Sequence, residues 1–319
     1  MHRFFVPPEL LANLAPARGA TTSLSQESLG NVVAPLAGAS SNLISLPKDL
    51  AHQVRDVLRL NPGEQLLLLD NSGEEILATV AKTSKTSVEV QLHERRPGKS
   101  EPTVRIILYQ GLLKSARFEW ILEKGTELGV SVFSPILCRR SMAGLEDAGP
   151  TKIQRWQRII QEAAEQSGRS HLPELLPIQP LVQALNDIPS NALAIMPWEE
   201  EHALTLHDVL TASNHPTGNV GAPLAGARSP HDVLKTSNRS TGNVAQPIPP
   251  QPTSDLSTPT PQSPTTVVLF IGSEGGLMPE EIALAKRHGV QIVTLGSRIL
   301  RAETAALTAV ANVMYELEH

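Results

Sequence analysis

From residue 98 onward, apolar runs of strand length alternate with segments whose apolar residues recur at helical spacing. The run TVRIILYQG (103–111) predicts a buried strand. In the following ARFEWILEKGTELG, Phe118, Ile121, Leu122 and Leu128 share one face of a helix that Gly129 can end. VSVFSPILC (130–138) reads as the next strand, and IQRWQRIIQEAAEQSG places Trp156, Ile159, Ile160, Ala163 and Ala164 at helical spacing. NALAIMPWEE (191–200) is a third strand ending in acid, and TTVVLFIG (265–272) a fourth. MPEEIALAKRHG (278–289) predicts a helix with Pro279 and two glutamates in its first turn, and VQIVTLG (290–296) a fifth strand. The closing ETAALTAVANVMYEL predicts a helix with Leu307, Val310, Met314 and Leu317 on one side. Such alternation calls for a mainly parallel sheet with helices on its faces.

The preceding part has a different rhythm. Between residues 42 and 97, short apolar runs such as QLLLLDNSGEE and the alternating TSVEVQL are separated by turn signals, which predicts a small β domain. HQVRDVLRLNPGE fits a short helix over His52–Leu60 stopped by Pro62 and Gly63. Two stretches fit neither pattern. HDVLTASNHPTGNV (207–220) recurs as HDVLKTSNRSTGNV (231–244), and GNVGAPLAGA (218–227) recurs with one change at 30–39, too few copies for a solenoid. The repeats hold few large apolar residues and run into a Pro/Ser/Thr tract, so burial cannot offset their ordering entropy. They predict disordered insertions at 18–41, inside a β domain of residues 1–97, and at 208–264, inside an α/β domain of residues 98–319.

Composition alters this picture in three places. The lone cysteine, Cys138, cannot form an internal disulfide, which points to a reducing compartment and to a buried apolar role for the thiol. Neither a signal segment nor a run of ~20 apolar residues is present, so the expectation is a cytoplasmic protein outside the membrane. The net charge of −5 conceals an asymmetry, because residues 95–170 hold 13 basic and 8 acidic side chains while both flanks are acidic. A basic middle can meet a phosphate backbone or simply be a solvated helical face.

Ligands of parallel α/β sheets bind at the carboxyl ends of the strands. Two predicted loops there are unusual. IGSEGGLMPEE sets Gly272, Gly275 and Gly276 directly after a strand, where glycine lets the backbone approach a ligand, although neither the P-loop nor the dinucleotide spacing is met. LGSRILRAETAAL puts apolar Ile299 and Leu300 at a loop tip beside Arg298, Arg301 and Glu303, as a slot for a flat aromatic ligand would require. A surface ion pair of either arginine with Glu303 or Glu274 is the plainer reading.

The segment from Ile271 to Leu307 resembles the cofactor end of the SPOUT methyltransferases, and most of all the RsmE-type 16S ribosomal RNA uridine-N3 methyltransferases. MHRFFV, HQVRDVLRLNPGE, KSARFEWILEKGTELGVSVFSPILCRRS and RWQRIIQEAAEQSGRSHLPEL resemble further family segments in family order, so the likeness spans nearly all of the chain outside the insertions. The resemblance implies an α/β trefoil knot preceded by a PUA-like β-barrel, the cofactor S-adenosylmethionine, 16S ribosomal RNA of the small subunit as substrate, and a homodimer. Carried onto this sequence, it implies cofactor contacts from Met196, Pro197, Ile271, Gly272, Ser273, Glu274, Gly275, Gly276, Leu295, Gly296, Ile299 and Leu300. Arg301 is the candidate cation beside the uracil, and Glu303 the candidate proton acceptor or orienting partner of Arg301. RNA contact is expected from Arg3, Lys114, Arg117, Lys124, Arg139, Arg140 and Arg169. Ribose 2′-O methylation and a non-catalytic RNA-binding or ribosome-assembly factor are the alternatives. The insertion at 208–264 departs from the family by interrupting a region that it connects briefly.

Overall fold

The computed structural model describes residues 1–11, 34–35, 42–141, 144, 149–214 and 266–318. In its amino-terminal part, β1 (His2–Phe5) is followed by α1 (Pro8–Leu11), β2 (Ala34–Pro35), β3 (Leu43–Ser45), α2 (Lys48–His52), β4 (Gln65–Leu69), β5 (Glu74–Thr83) and β6 (Val88–Pro97). These strands form one sheet in the order β1-β4-β5-β6-β2, with β3 also on β6. All pairs are antiparallel except β1 with β4. Leu66 and Leu68 of β4, Ile76, Ala78 and Val80 of β5, and Val88, Val90 and Leu92 of β6 alternate into one core with Phe4, Leu50 and Val54.

The helix expected over His52–Leu60 begins earlier, at Lys48, and continues as a π turn over Gln53–Val57. Its register is set by Leu50, Ala51 and Val54, which are buried at helical spacing, and it ends before Arg59 at φ 55°.

The second part runs β7 (Arg105–Gly111), α3 (Ser115–Glu127), β8 (Val130–Leu137), α4 (Pro150–Ser167), β9 (Glu174–Leu175), β10 (Gln179–Pro180), α5 (Leu181–Asn186), β11 (Leu193–Pro197), α6 (Leu206–Asn214), β12 (Thr266–Ile271), α7 (Pro279–Arg287), β13 (Gln291–Val293) and α8 (Ala302–Glu318). Its seven strands are all parallel, in the order β10-β8-β7-β12-β11-β13 with β9 on β8. The sheet is covered on both faces. Val267, Leu269 and Ile271 of β12 face a core built with α3, α4, α6 and α8, whereas Val268 and Phe270 face α5 and α7. Burial on both sides explains why these strands read as unbroken apolar runs.

Two sequence expectations change here. Residues 208–214, assigned to the second insertion, continue α6, because Leu206, Val209 and Leu210 are buried against α8 and the sheet. The first repeat therefore begins inside a packed helix, and Ala34–Pro35 of the first insertion pairs with β6. The remainder of both insertions lies outside the described residues. On α8 the buried stripe is Ala306, Ala309, Val310 and Val313, leaving Leu307, Met314 and Leu317 partly buried at its edges. Alanines win the inner positions because they let the helix axis lie close to the strands.

Candidate functional site

The carboxyl ends of β7, β8, β11, β12 and β13 lie at one edge of the sheet, and the two glycine-bearing loops meet there. One cavity of about 230 Å³ is lined by Pro197, Glu199, the loop Ile271–Leu277 and residues 299–302 and 305. An adjoining one of about 110 Å³ is lined by residues 197–199, His202, residues 294–300 and Ala305. They share Pro197, Glu199, Ile299, Leu300 and Ala305, and so form one bent slot between two walls. Together they reach the lower end of the roughly 300–1,000 Å³ range of small-molecule clefts. Its apolar lip is unusual, for Ile299 is 86% exposed.

Backbone geometry explains the glycines. Gly276 closes a tight turn by donating its N–H to the Ser273 carbonyl at 2.9 Å, with φ at 74°. A Cβ there would lie 2.9 Å from Glu199 Oε1, a flexible side-chain end that can move away, so it is the conformation that selects glycine. Gly111, at the end of β7, is needed for another reason: a Cβ would lie 2.5 Å from Ser273 N. Beside it Gln110, 1% exposed, donates Nε2 to the carbonyls of Gly111 at 3.0 Å and Gly272 at 3.3 Å. Among the described residues, its Oε1 and the Ser273 Oγ are buried without a partner. Orphaned buried polar atoms beside a cavity are what a polar ligand would satisfy.

The loop is braced from β8. Arg140 Nη1 donates to the Gly275 carbonyl at 3.0 Å. Glu281, 6% exposed, accepts from the Arg139 N–H at 2.9 Å and the Met278 N–H at 2.8 Å, so one buried carboxylate ties the turn after β8 to the start of α7. Cys138 sits behind this brace. Burial first, and then the Glu281 charge, push its thiol up to about 12, against the opposing effect of the Ser273 N–H. It is therefore a neutral thiol in the core, as the sequence suggested.

With this geometry in place, comparison with known proteins is decisive. The sequence profile of an RNA methyltransferase domain matches residues 99–222 and 228–314, and that of an RNA methyltransferase PUA domain matches 47–92. The ribosomal RNA small subunit methyltransferase E of Bacillus subtilis is 27% identical over 276 residues, covering 86% of this chain and 90% of that protein. Its Synechocystis namesake is 30% identical over 276 residues, covering 86% and 74%. The chain belongs to the ribosomal RNA small subunit methyltransferase E family. In fold it is similar to the Neisseria gonorrhoeae member solved with S-adenosyl methionine bound, at a TM-score of 0.67 and 24% identity over 99% of this chain and 97% of that one.

Within this family frame, eleven of the twelve residues expected to hold the cofactor line the slot. Met196 does not. It is fully buried among Val268, Phe270 and Ile282, so it supports the wall from behind. Sequence reasoning missed Gln110, Gly111, Glu199, His202 and Ala305. Of these, Gln110 left a signal, as the one polar residue inside the apolar run of β7.

The expected RNA-binding cations separate into two groups. Lys114 and Arg139 are exposed at the slot's edge of the sheet, where Arg298 and Arg301, outside the expected RNA-binding set, are exposed too, and none of the four has an ion pair among the described residues. Arg140 is exposed beside them. The others have partners: Arg3 with Glu75 at 3.4 Å, and Lys124 with Glu123 and Glu127 at 2.8 Å on its own helix. Arg169 is 4% exposed, donating to the Val130 carbonyl at 2.6 Å and to Glu101 at 3.0 Å, so it is part of the fold and faces no RNA. Arg117 also departs from expectation. It takes both carboxylates suggested as partners for Arg298 or Arg301, with Nη1 at 2.9 Å from Glu274 and Nε at 3.6 Å from Glu303.

Proposed function

We propose that this protein methylates N3 of a uridine in small-subunit ribosomal RNA, using S-adenosylmethionine bound in the slot between the loops after β12 and β13. The observation that carries the reading is the slot itself, whose walls are backbone-rich, glycine-dependent and ringed by exposed cations, in a chain of this family. The cofactor, when bound, supplies a methyl group made electrophilic by its sulfonium. The orphaned Ser273 Oγ, the loop peptides and the Glu199 carboxylate, which faces both cavities, would hold its polar groups, while Ile299 and Leu300 would cover its ring.

The remaining work falls to the chain. Uridine N3 carries a proton at neutral pH, and the base becomes nucleophilic once that proton passes to water, leaving an imide anion with its charge spread over two carbonyls. Arg301, exposed at the slot and without an ion pair among the described residues, would stabilise that charge, a role its lining of the cavity supports. Lys114, Arg139 and Arg140 would hold flanking phosphates, which makes RNA affinity fall with salt. Fixing the acceptor nitrogen in line with the methyl carbon supplies much of the rate.

A homodimer completes the proposal. Trp120 on α3 and Tyr315 on α8 are 43% and 69% exposed on helices that pack side by side, and aromatic residues of this kind favour an interface. The strand order, with β12 inserted between β7 and β11 and β13 beyond β11, supports a carboxyl-terminal segment threaded as a trefoil knot. No described helix is long and apolar enough to cross a membrane. The cytoplasm is the proposed compartment.

The test is nucleoside mass spectrometry on small-subunit particles incubated with the purified protein and methyl-labelled cofactor. Label in N3-methyluridine is expected. Label in a ribose-methylated nucleoside, or none despite cofactor binding, would overturn the reading. Arg301→Ala should lower kcat by about 10²-fold while cofactor affinity in calorimetry is unchanged.

A further inference from the structure

The slot's two walls come from segments that are far apart in the chain, and one side chain outside both of them touches each. Arg117 projects from the first turns of α3. Its Nη1 donates to Glu274, in the loop after β12, at 2.9 Å. Its Nε lies 3.6 Å from Glu303, in the first turn of α8, two residues beyond the loop after β13. The side chains of Glu274 and Glu303 are 24% and 12% exposed, and that of Arg117 is 43% exposed. Among the described residues the second Glu303 oxygen is buried without a partner, so this carboxylate depends on Arg117 for the neutralisation that its position requires. A planar guanidinium with several fixed donors can serve two carboxylates at once, which a lysine ammonium on a flexible stem does poorly.

We infer that Arg117 is a positioning residue for the cofactor site, bracing one wall against the other and so setting the width of the slot before RNA arrives. The inference rests on the cofactor slot proposed above. It removes Arg117 from the RNA-binding set and gives Glu303 a structural duty. Because Glu303 Oε2 has less than 1 Å² of accessible surface, that oxygen is shielded from an incoming base.

Calorimetric titration of S-adenosylmethionine into the RNA-free protein tests it, with wild type, Arg117→Ala, Arg117→Lys, Glu303→Gln, the Arg117→Ala/Glu303→Gln double variant, and Arg158→Ala as a surface control. The expected result is a Kd raised about fivefold or more by Arg117→Ala and by Glu303→Gln, and in the double variant a loss well short of the product of the two. Arg117→Lys should recover only part of the affinity, and Arg158→Ala should match wild type. RNA binding measured against salt supplies the opposing outcome. If Arg117→Ala leaves the cofactor Kd unchanged and instead reduces the salt slope by about one counterion, Arg117 is a phosphate contact and the inference is wrong. Multiplicative losses in the double variant would also overturn it. Melting temperatures identify variants that fail to fold, in which case the Arg117→Lys Kd alone decides, and a value equal to wild type overturns the inference. Failure of wild type to bind cofactor would instead sink the cofactor reading.

Discussion

Charged residues of one type do unlike work in this protein, and burial tells them apart. Arg169 and Glu101 form a mostly buried pair, in which Glu101 also accepts the Ser170 and His171 N–H groups at 2.7 and 2.9 Å. Burial alone would raise the Glu101 pKa, but Arg169 and the two N–H groups together outweigh it and hold the value below its usual 4.5. A carboxylate depressed on folding contributes stability that is present above its unfolded pKa and lost as pH falls through the folded one. Glu101→Gln should therefore lower the melting temperature at pH 7, and the gap from wild type should close as pH drops below about 4.5. Arg169→Ala, which strands the buried carboxylate, should cost about 3–5 kcal/mol in denaturant unfolding. Cys138 is expected to resist alkylation at pH 8 until the chain is unfolded, since it is buried and its pKa is about 12. None of this was visible from residue type. Arg139 and Arg169 look alike in a sequence, and only the tertiary structure makes one an exposed cation and the other a core group.

At the level of elements, legibility followed periodicity. Strands β7, β8, β11 and β12 were readable because both faces are buried, and α3 and α4 because their apolar stripes are wide. Trp156 on α4 is fully buried, with its ring centroid 4.6 Å from that of Phe118. Trp156→Ala should cost about 3–5 kcal/mol, measured by denaturant unfolding. Two-residue strands such as β9 and β10 are too short to carry a period. The glycine loops were legible because so few residues tolerate their geometry. Gly276→Ala should reduce cofactor affinity strongly and lower the unfolding free energy by more than about 1 kcal/mol, because alanine is strained at that positive φ. The braces behind that loop were not legible, since Arg140 on Gly275 and Arg117 on Glu274 join residues 135 and 157 positions apart.

Across the whole molecule, each described lining residue of the slot lies in one of three stretches, 197–202, 271–277 or 294–305. Because those stretches supply both walls, a Gly/Ser linker long enough to replace residues 215–265 should leave cofactor binding in calorimetry intact. The arrangement also bears on how the slot is assembled. The helix that supplies Ala302, Glu303 and Ala305 must dock on β7, β12 and α3 before the second wall stands. Any lesion that frays α8 would therefore open the slot without altering a residue of the first wall.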